Sequence, residues 1–116
     1  MDYLDTLSHF ASNLDYSKLE PQVQDQVGWI LADTVAAVAA GSAEPELRAI
    51  AKRQAAGTPQ HSAQLIGLGQ TSTPEAAAFI NGTSGTFLEM DEGNRFSRGH
   101  PAVHVIPAAL ALSQER

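Results

Sequence analysis

The segment from Met90 to His104 reads MDEGNRFSRGHPAVH and sets two acids, two arginines and two histidines close together. Each type brings a different chemistry. The Asp91 and Glu92 carboxylates can accept or relay protons, and the imidazoles of His100 and His104 can exchange them near neutral pH. The guanidinium groups of Arg95 and Arg98 can grip a carboxylate with two parallel hydrogen bonds. Gly93 and Gly99 bracket the segment, as expected of a loop rather than a helix. Mixed titratable groups on a loop between packed elements are a common housing for catalysis. A substrate carrying several carboxylates would suit such a loop.

Three readings of the histidines compete. Four residues apart, His100 and His104 would share a helix face as metal-binding pairs do. No HExxH pattern accompanies them, and a third ligand would have to be Asp91 or Glu92. A histidine pair alone is weak ground for a metal, so no metal is assigned. The plain alternative makes His100-Pro101 the start of a helix, with His104 hydrogen-bonded inside the core. The third is anion binding. A helix beginning at Pro101 points its free N–H groups and positive dipole end back towards His100, with Arg95 and Arg98 just upstream.

The elements that must position this loop are helical. Leu4, Leu7, Phe10, Ala11 and Leu14 fall on one face of an amphipathic helix from about Asp2 to Leu14. Asp15-Tyr16-Ser17 is a turn, and Leu19-Glu20-Pro21 opens a second helix with proline in its first turn. Val23, Val27, Ile30, Leu31, Thr34 and Val38 line one side, while Trp29, Ala36, Ala37 and Ala40 line much of the other. A helix apolar nearly all round is expected to be covered on several sides. Gly41 is the candidate left-handed cap that closes it.

Glu44-Pro45-Glu46 starts a third helix, with acids at the positive end of its dipole, running to Ala56 before Gly57-Thr58-Pro59. Gln64 to Gly67 is a short extended piece, followed by the turn Leu68-Gly69-Gln70. Thr73-Pro74-Glu75 within TSTPE combines a capping threonine, a first-turn proline and an acid, and predicts a helix running to Met90. Gly82 and Gly85 inside it each cost about 1 kcal/mol relative to alanine, which predicts close approach of a neighbouring backbone. From Ala102 the pattern is helical again, with Pro107 either kinking the helix or marking its true start. The fold class is therefore all-α, a single helical segment over residues 1–116.

Composition narrows the function classes. Thirteen acids against seven bases give a net charge of −6 and a pI near 5, the wrong balance for a duplex nucleic acid partner. The chain has no run of eighteen apolar residues, so no membrane partner is expected, and the acidic N-terminus does not resemble a signal peptide. There are no cysteines, hence no disulfides or thiolate metal sites, and the default setting is cytoplasmic. The chain stops at Ser113-Gln114-Glu115-Arg116 without a glycine or proline stop signal, and the expectation is that it is a piece of something longer.

Other features are read as structural. Gly67 to Ser72 lacks the third glycine of a dinucleotide fingerprint and the lysine of a phosphate loop, leaving a plain turn. Asn81-Gly82-Thr83 matches a glycosylation sequon but sits in the middle of a helix. Asp33, in an otherwise apolar helix, would need a hydrogen-bond donor if buried. His9 and His61 are read as ordinary surface or interface residues.

Several segments, in order, resemble the N-terminal part of the MmgE/PrpD family, which includes 2-methylcitrate dehydratase, cis-aconitate decarboxylase and iminodisuccinate epimerase. Ile30 to Ala36 with Ala40-Gly41 resembles the family's LLDTLG…AG helix, and Glu75 to Thr83 its AAFANG segment. Leu88 to Asp91, then His100-Pro101 and Val105 to Leu112, resemble its H-x-x-D-F-D-D-T…H-P…V-x-P-A-L-L-A-L core. The resemblance implies an all-helical domain, completed in the family by a distant C-terminal segment and a smaller α+β lid. It also implies a homodimer in the full-length form. By motif, Asp91 and His100 are the catalytic candidates; Arg95, Arg98 and His104, beside them in the sequence, are the substrate-binding candidates. The family's DFDDT reads Asp91-Glu92-Gly93-Asn94-Arg95 here, and the arginine in place of threonine implies an added carboxylate contact. The family's catalytic lysine and further histidines fall beyond Arg116. The activity implied is that of a cofactor-independent lyase or isomerase, similar to 2-methylcitrate dehydratase. It would abstract a proton next to a carboxylate of a small polycarboxylate substrate. The alternative is a non-catalytic helical remnant or interaction module, inactive alone.

Overall fold

The computed structural model describes residues 2–55 and 62–115. Among them five helices and one small hairpin follow in order: α1 (Tyr3–Ser12), α2 (Pro21–Gly41), α3 (Pro45–Ala55), β1 (Ala63–Leu65), β2 (Gln70–Ser72), α4 (Pro74–Phe87) and α5 (Pro101–Gln114). A single 3-10 turn at Tyr16–Lys18 joins α1 to α2, capped by the Asp15 carboxylate accepting from Ser17 N–H. The all-α reading stands, with a hairpin where one extended piece was expected. The break expected at Gly57-Thr58-Pro59, and His61, lie outside the described residues.

Helix α4 is the hub, packing on α5 and α2 and also meeting α3 and both strands. Its buried residues are Ala77, Ile80, Asn81, Ser84 and Gly85, one stripe at helical spacing made mostly of small side chains. The facing stripe of α2 is Thr34, Ala37, Val38 and Gly41. Small residues on both sides let the two backbones come close. A Cβ on Gly41 would fall on the Ser84 carbonyl oxygen, so this position admits glycine for reasons of space. Gly41 is thus no left-handed cap: the helix includes it, and Ser42 follows in right-handed conformation. At Gly85 an added Cβ would meet the Val103 and Val38 side chains at 2.7 and 3.2 Å, whereas at Gly82 its nearest neighbour would be the Val103 carbonyl oxygen at 3.9 Å. The close backbone approach expected at the α4 glycines is therefore found one residue away, at Ser84 opposite Gly41.

Helix α5 runs unbroken through Pro107, which is buried within it. Because Pro107 has no N–H, the Val103 carbonyl loses its usual helical donor. Helix α4 ends at Phe87, earlier than the expected Met90, and Glu89 follows in left-handed conformation with φ 51°. A non-glycine residue held there is uncommon, and it turns the chain out of the helix into the loop.

The hairpin pairs Ala63 with Ser72, Gln64 with Thr71 and Leu65 with Gln70, turning through Gly67 and Gly69 at positive φ. Its outer edge is closed by side chains from the helices. Asn81 Oδ1 accepts from Ile66 N–H at 3.0 Å and Asn81 Nδ2 donates to Gln64 O at 2.9 Å, while Gln114 Oε1 accepts from Gln64 N–H at 2.8 Å. Asn81 is buried, so the sequon asparagine is a structural clasp. The apolar core, Ala51, Ala63, Leu65, Ala77, Ile80 and Ala111, lies between hairpin and helices.

One part of the chain has little cover. Helix α1 has no buried residue, and Leu4, Leu7, Phe10 and Leu14 are all exposed, as are Val23, Val27 and Trp29 in the first half of α2. Asp33 is exposed too, so it needs no buried partner. No helix among the described residues is long and apolar enough to cross a membrane.

Candidate active site

The loop from residue 88 to residue 100 leaves α4 and returns to α5, and its own backbone folds it. Asn94 N–H donates to Gly99 O at 2.8 Å, and Asn94 Oδ1 accepts from the N–H groups of Phe96 and Ser97, both at 2.9 Å. Arg98 takes the left-handed conformation, φ 52°. Residues 94–99 thereby close into a tight turn that brings the start and end of the loop together. The asparagine side chain does the closing, as is common for Asx turns.

The consequence is a pair. His100 Nδ1 lies 3.1 Å from Asp91 Oδ2, with the Asp91 side chain only 5% exposed and that of His100 52% exposed. An ionised carboxylate can only accept, so any hydrogen shared across this contact comes from Nδ1, and Nε2 is the nitrogen left for other chemistry. The carboxylate lies inside and the imidazole faces outward, an arrangement in which the acid can orient the ring. These residues line a cleft of about 480 Å3 together with Thr86, Glu89 and His104. His104 sits one turn along α5 from His100 and is exposed, not hydrogen-bonded within the core. Thr86 and Glu89 were not singled out by sequence reasoning. Their signal was the chain reversal after Phe87, which no local pattern in FLEMD announces.

Arg95 and Arg98 lie elsewhere. Both are exposed on the 94–99 turn, flanking Phe96, which is 96% exposed, and neither lines the cleft. The structure thus brings Asp91, His100 and His104 together and leaves the two arginines at the loop tip. At the helix N-terminus expected to receive a substrate anion, one donor is already engaged: Ala102 N–H donates to Glu92 Oε1 at 2.6 Å. Among the described residues, no three or more His, Asp or Glu side chains converge in a way that could hold a metal ion.

The comparisons with known proteins agree with this architecture. Residues 5–116 match the MmgE/PrpD N-terminal domain, and the chain belongs to that family. It is 27% identical over 108 residues to a cis-aconitate decarboxylase of Aspergillus terreus, and equally to that of Aspergillus terreus strain NIH 2624 / FGSC A1156. The match covers 93% of this chain and 22% of each relative, so the chain spans about a fifth of the length of these curated relatives. No solved structure matches it significantly.

Proposed function

We propose that this chain contributes the Asp91–His100 pair to the active site of a cofactor-independent lyase or isomerase acting on a small polycarboxylate. The observation that carries the reading is the 3.1 Å contact between a nearly buried carboxylate and a half-exposed imidazole in one cleft. His100 Nε2 removes a proton from the carbon next to a substrate carboxylate, and Asp91 holds the imidazolium that results. A positioned base of this kind contributes about 10²–10⁴-fold to rate. His104 lies in the same cleft and is assigned to the developing negative charge on the substrate, where a fixed hydrogen-bond donor is most effective. Arg95 and Arg98 act from the loop tip as local positive charge that attracts and steers a polyanion. Family membership and the name carried by the relatives support a substrate of this class. The reaction class within the family, dehydratase-like or otherwise, belongs to the same proposal. So do a cytoplasmic setting and a homodimer in the longer family form.

A second reading has one observation in its favour. The uncovered apolar faces of α1 and α2 suit a non-catalytic helical remnant or interaction module, inactive alone. The test uses the protein as encoded at its own locus, incubated in D2O with cis-aconitate or 2-methylcitrate and followed by proton NMR. Turnover or deuterium wash-in next to a carboxylate is expected, reduced at least about 100-fold in His100→Asn. Wild-type rates in that variant would remove His100 from the chemistry and the proposal with it.

A further inference from the structure

We propose that Glu92 is a positioning residue for His100, acting through the backbone at the start of α5. This rests on the reading of His100 as the base. Pro101 has no N–H, and the His100 side chain does not cap α5, so the first backbone donor of that helix is Ala102 N–H. Ala102 is 7% exposed, which leaves water little access to that donor. Glu92 Oε1 meets it at 2.6 Å, reaching across the loop from ten residues upstream, and a carboxylate at a helix N-terminus gains from the dipole as well.

The neighbouring acid does something different. Asp91 takes the imidazole of His100, while Glu92 takes the main chain two residues further on. Two consecutive acids therefore hold the start of α5 at two points, the ring of His100 and the backbone of Ala102. The Asp91–His100 contact, at 3.1 Å, depends on where the ring is placed, so a shift at the start of α5 would weaken it. Holding Ala102 prevents that shift. It also removes the Ala102 N–H from the donors that this helix terminus could offer a substrate carboxylate.

A cap that served helix stability alone would leave the ring unaffected, which separates the two roles. The experiment is nitrogen-15 NMR of histidine-labelled protein, reading the tautomer of His100, with hydrogen exchange reading the Ala102 amide. The unmodified protein should show His100 with its hydrogen on Nδ1. Glu92→Ala should expose the Ala102 amide by about tenfold in exchange and move His100 to a mixture of tautomers. Glu92→Gln, which retains an acceptor oxygen, should restore both. Where Glu92→Ala does not fold, Glu92→Asp and Glu92→Gln decide. The shorter acid cannot span the same gap and should lose the single tautomer, while the amide should keep it. Release of the Ala102 amide with His100 unchanged overturns the proposal, as does loss of the single tautomer in Glu92→Gln. Neither readout needs turnover, so an active His100→Asn variant would end the catalytic reading while leaving the Glu92 result to stand or fall by itself.

Discussion

Gly41→Ala tests the closest packing in the fold, and the same substitution elsewhere supplies its controls. In a helix interior, replacing glycine by alanine is worth about 0.5–1 kcal/mol of stabilisation, because the unfolded chain has less freedom to lose. At Gly28, also within α2, nothing lies within 4 Å of the added Cβ, so the full gain should appear. At Gly41 the Cβ would occupy the position of the Ser84 carbonyl oxygen, and backbone cannot rotate aside as a side chain can. The helices α2 and α4 must separate, and overpacking of this sort costs about 1–3 kcal/mol or more. The propensity gain offsets part of this, leaving a net loss of roughly 2 kcal/mol for Gly41→Ala. For a domain of this size that is about 10 °C in Tm. Gly85→Ala should fall between the two, because the obstructing atoms are the Val103 and Val38 methyls at 2.7 and 3.2 Å, stiff but not immovable. Gly82→Ala, with its nearest neighbour at 3.9 Å, should be neutral or mildly stabilising. Thermal and urea unfolding of the four variants at one protein concentration, followed by far-UV circular dichroism, measures the series. Equal stabilisation of Gly28→Ala and Gly41→Ala would refute the close α2–α4 crossing, and with it the way α4 is held beneath the loop.

Asn81→Ala should cost about 2–4 kcal/mol, because Ile66 N–H and Gln64 C=O both lose their partner in a part-buried position. Asn81→Asp should recover little, since a carboxylate can accept from Ile66 but repels the Gln64 carbonyl; urea unfolding decides. At Asp15 the Ser17 hydroxyl, then Lys18, then the Ser17 N–H hold the carboxyl below the ordinary aspartate range. A depressed folded pKa means the contribution is present above the unfolded value and lost as pH falls through the folded one. The 3-10 turn should therefore loosen only in acid below the usual aspartate range, and Ser17→Ala should move the Asp15 titration upward, as read by carbon-13 NMR. An unchanged titration in Ser17→Ala would contradict the hydroxyl as its main cause.

The helices were legible because their signals are local. Thr73-Pro74-Glu75 announces α4 through a cap, a restricted φ and a charge at the dipole, and Thr73 does accept from Ala76 N–H. Local signals place Gln70 in a turn and Thr71-Ser72 in the helix start TSTPE, yet Gln70–Ser72 is a strand. Its pairing with Ala63–Leu65 is set by the turn through Gly67 and Gly69 and by the clasp of Asn81, seventeen residues from Gln64. No window around Thr71 contains that information. Gly41 shows the same limit from the other side. Glycine at the end of an apolar run is often a left-handed cap, and only the position of Ser84 reveals that this one makes room for a backbone.

In the loop, residue types were the legible part, since acids, histidines and flanking glycines point to acid–base chemistry wherever they fall in space. What they do was left to geometry. Asp91 and Glu92 are adjacent, both acidic and both partly buried, so composition cannot tell them apart. In an extended loop neighbouring side chains point in different directions, and here one reaches an imidazole while the other reaches the next helix. Arg95 and Arg98 stand where a substrate clamp would read well in one dimension. The Asn94–Gly99 closure instead turns them out to the tip. The same closure brings His100 back to Asp91, so the turn that removes the arginines from the cleft is the one that assembles the pair within it.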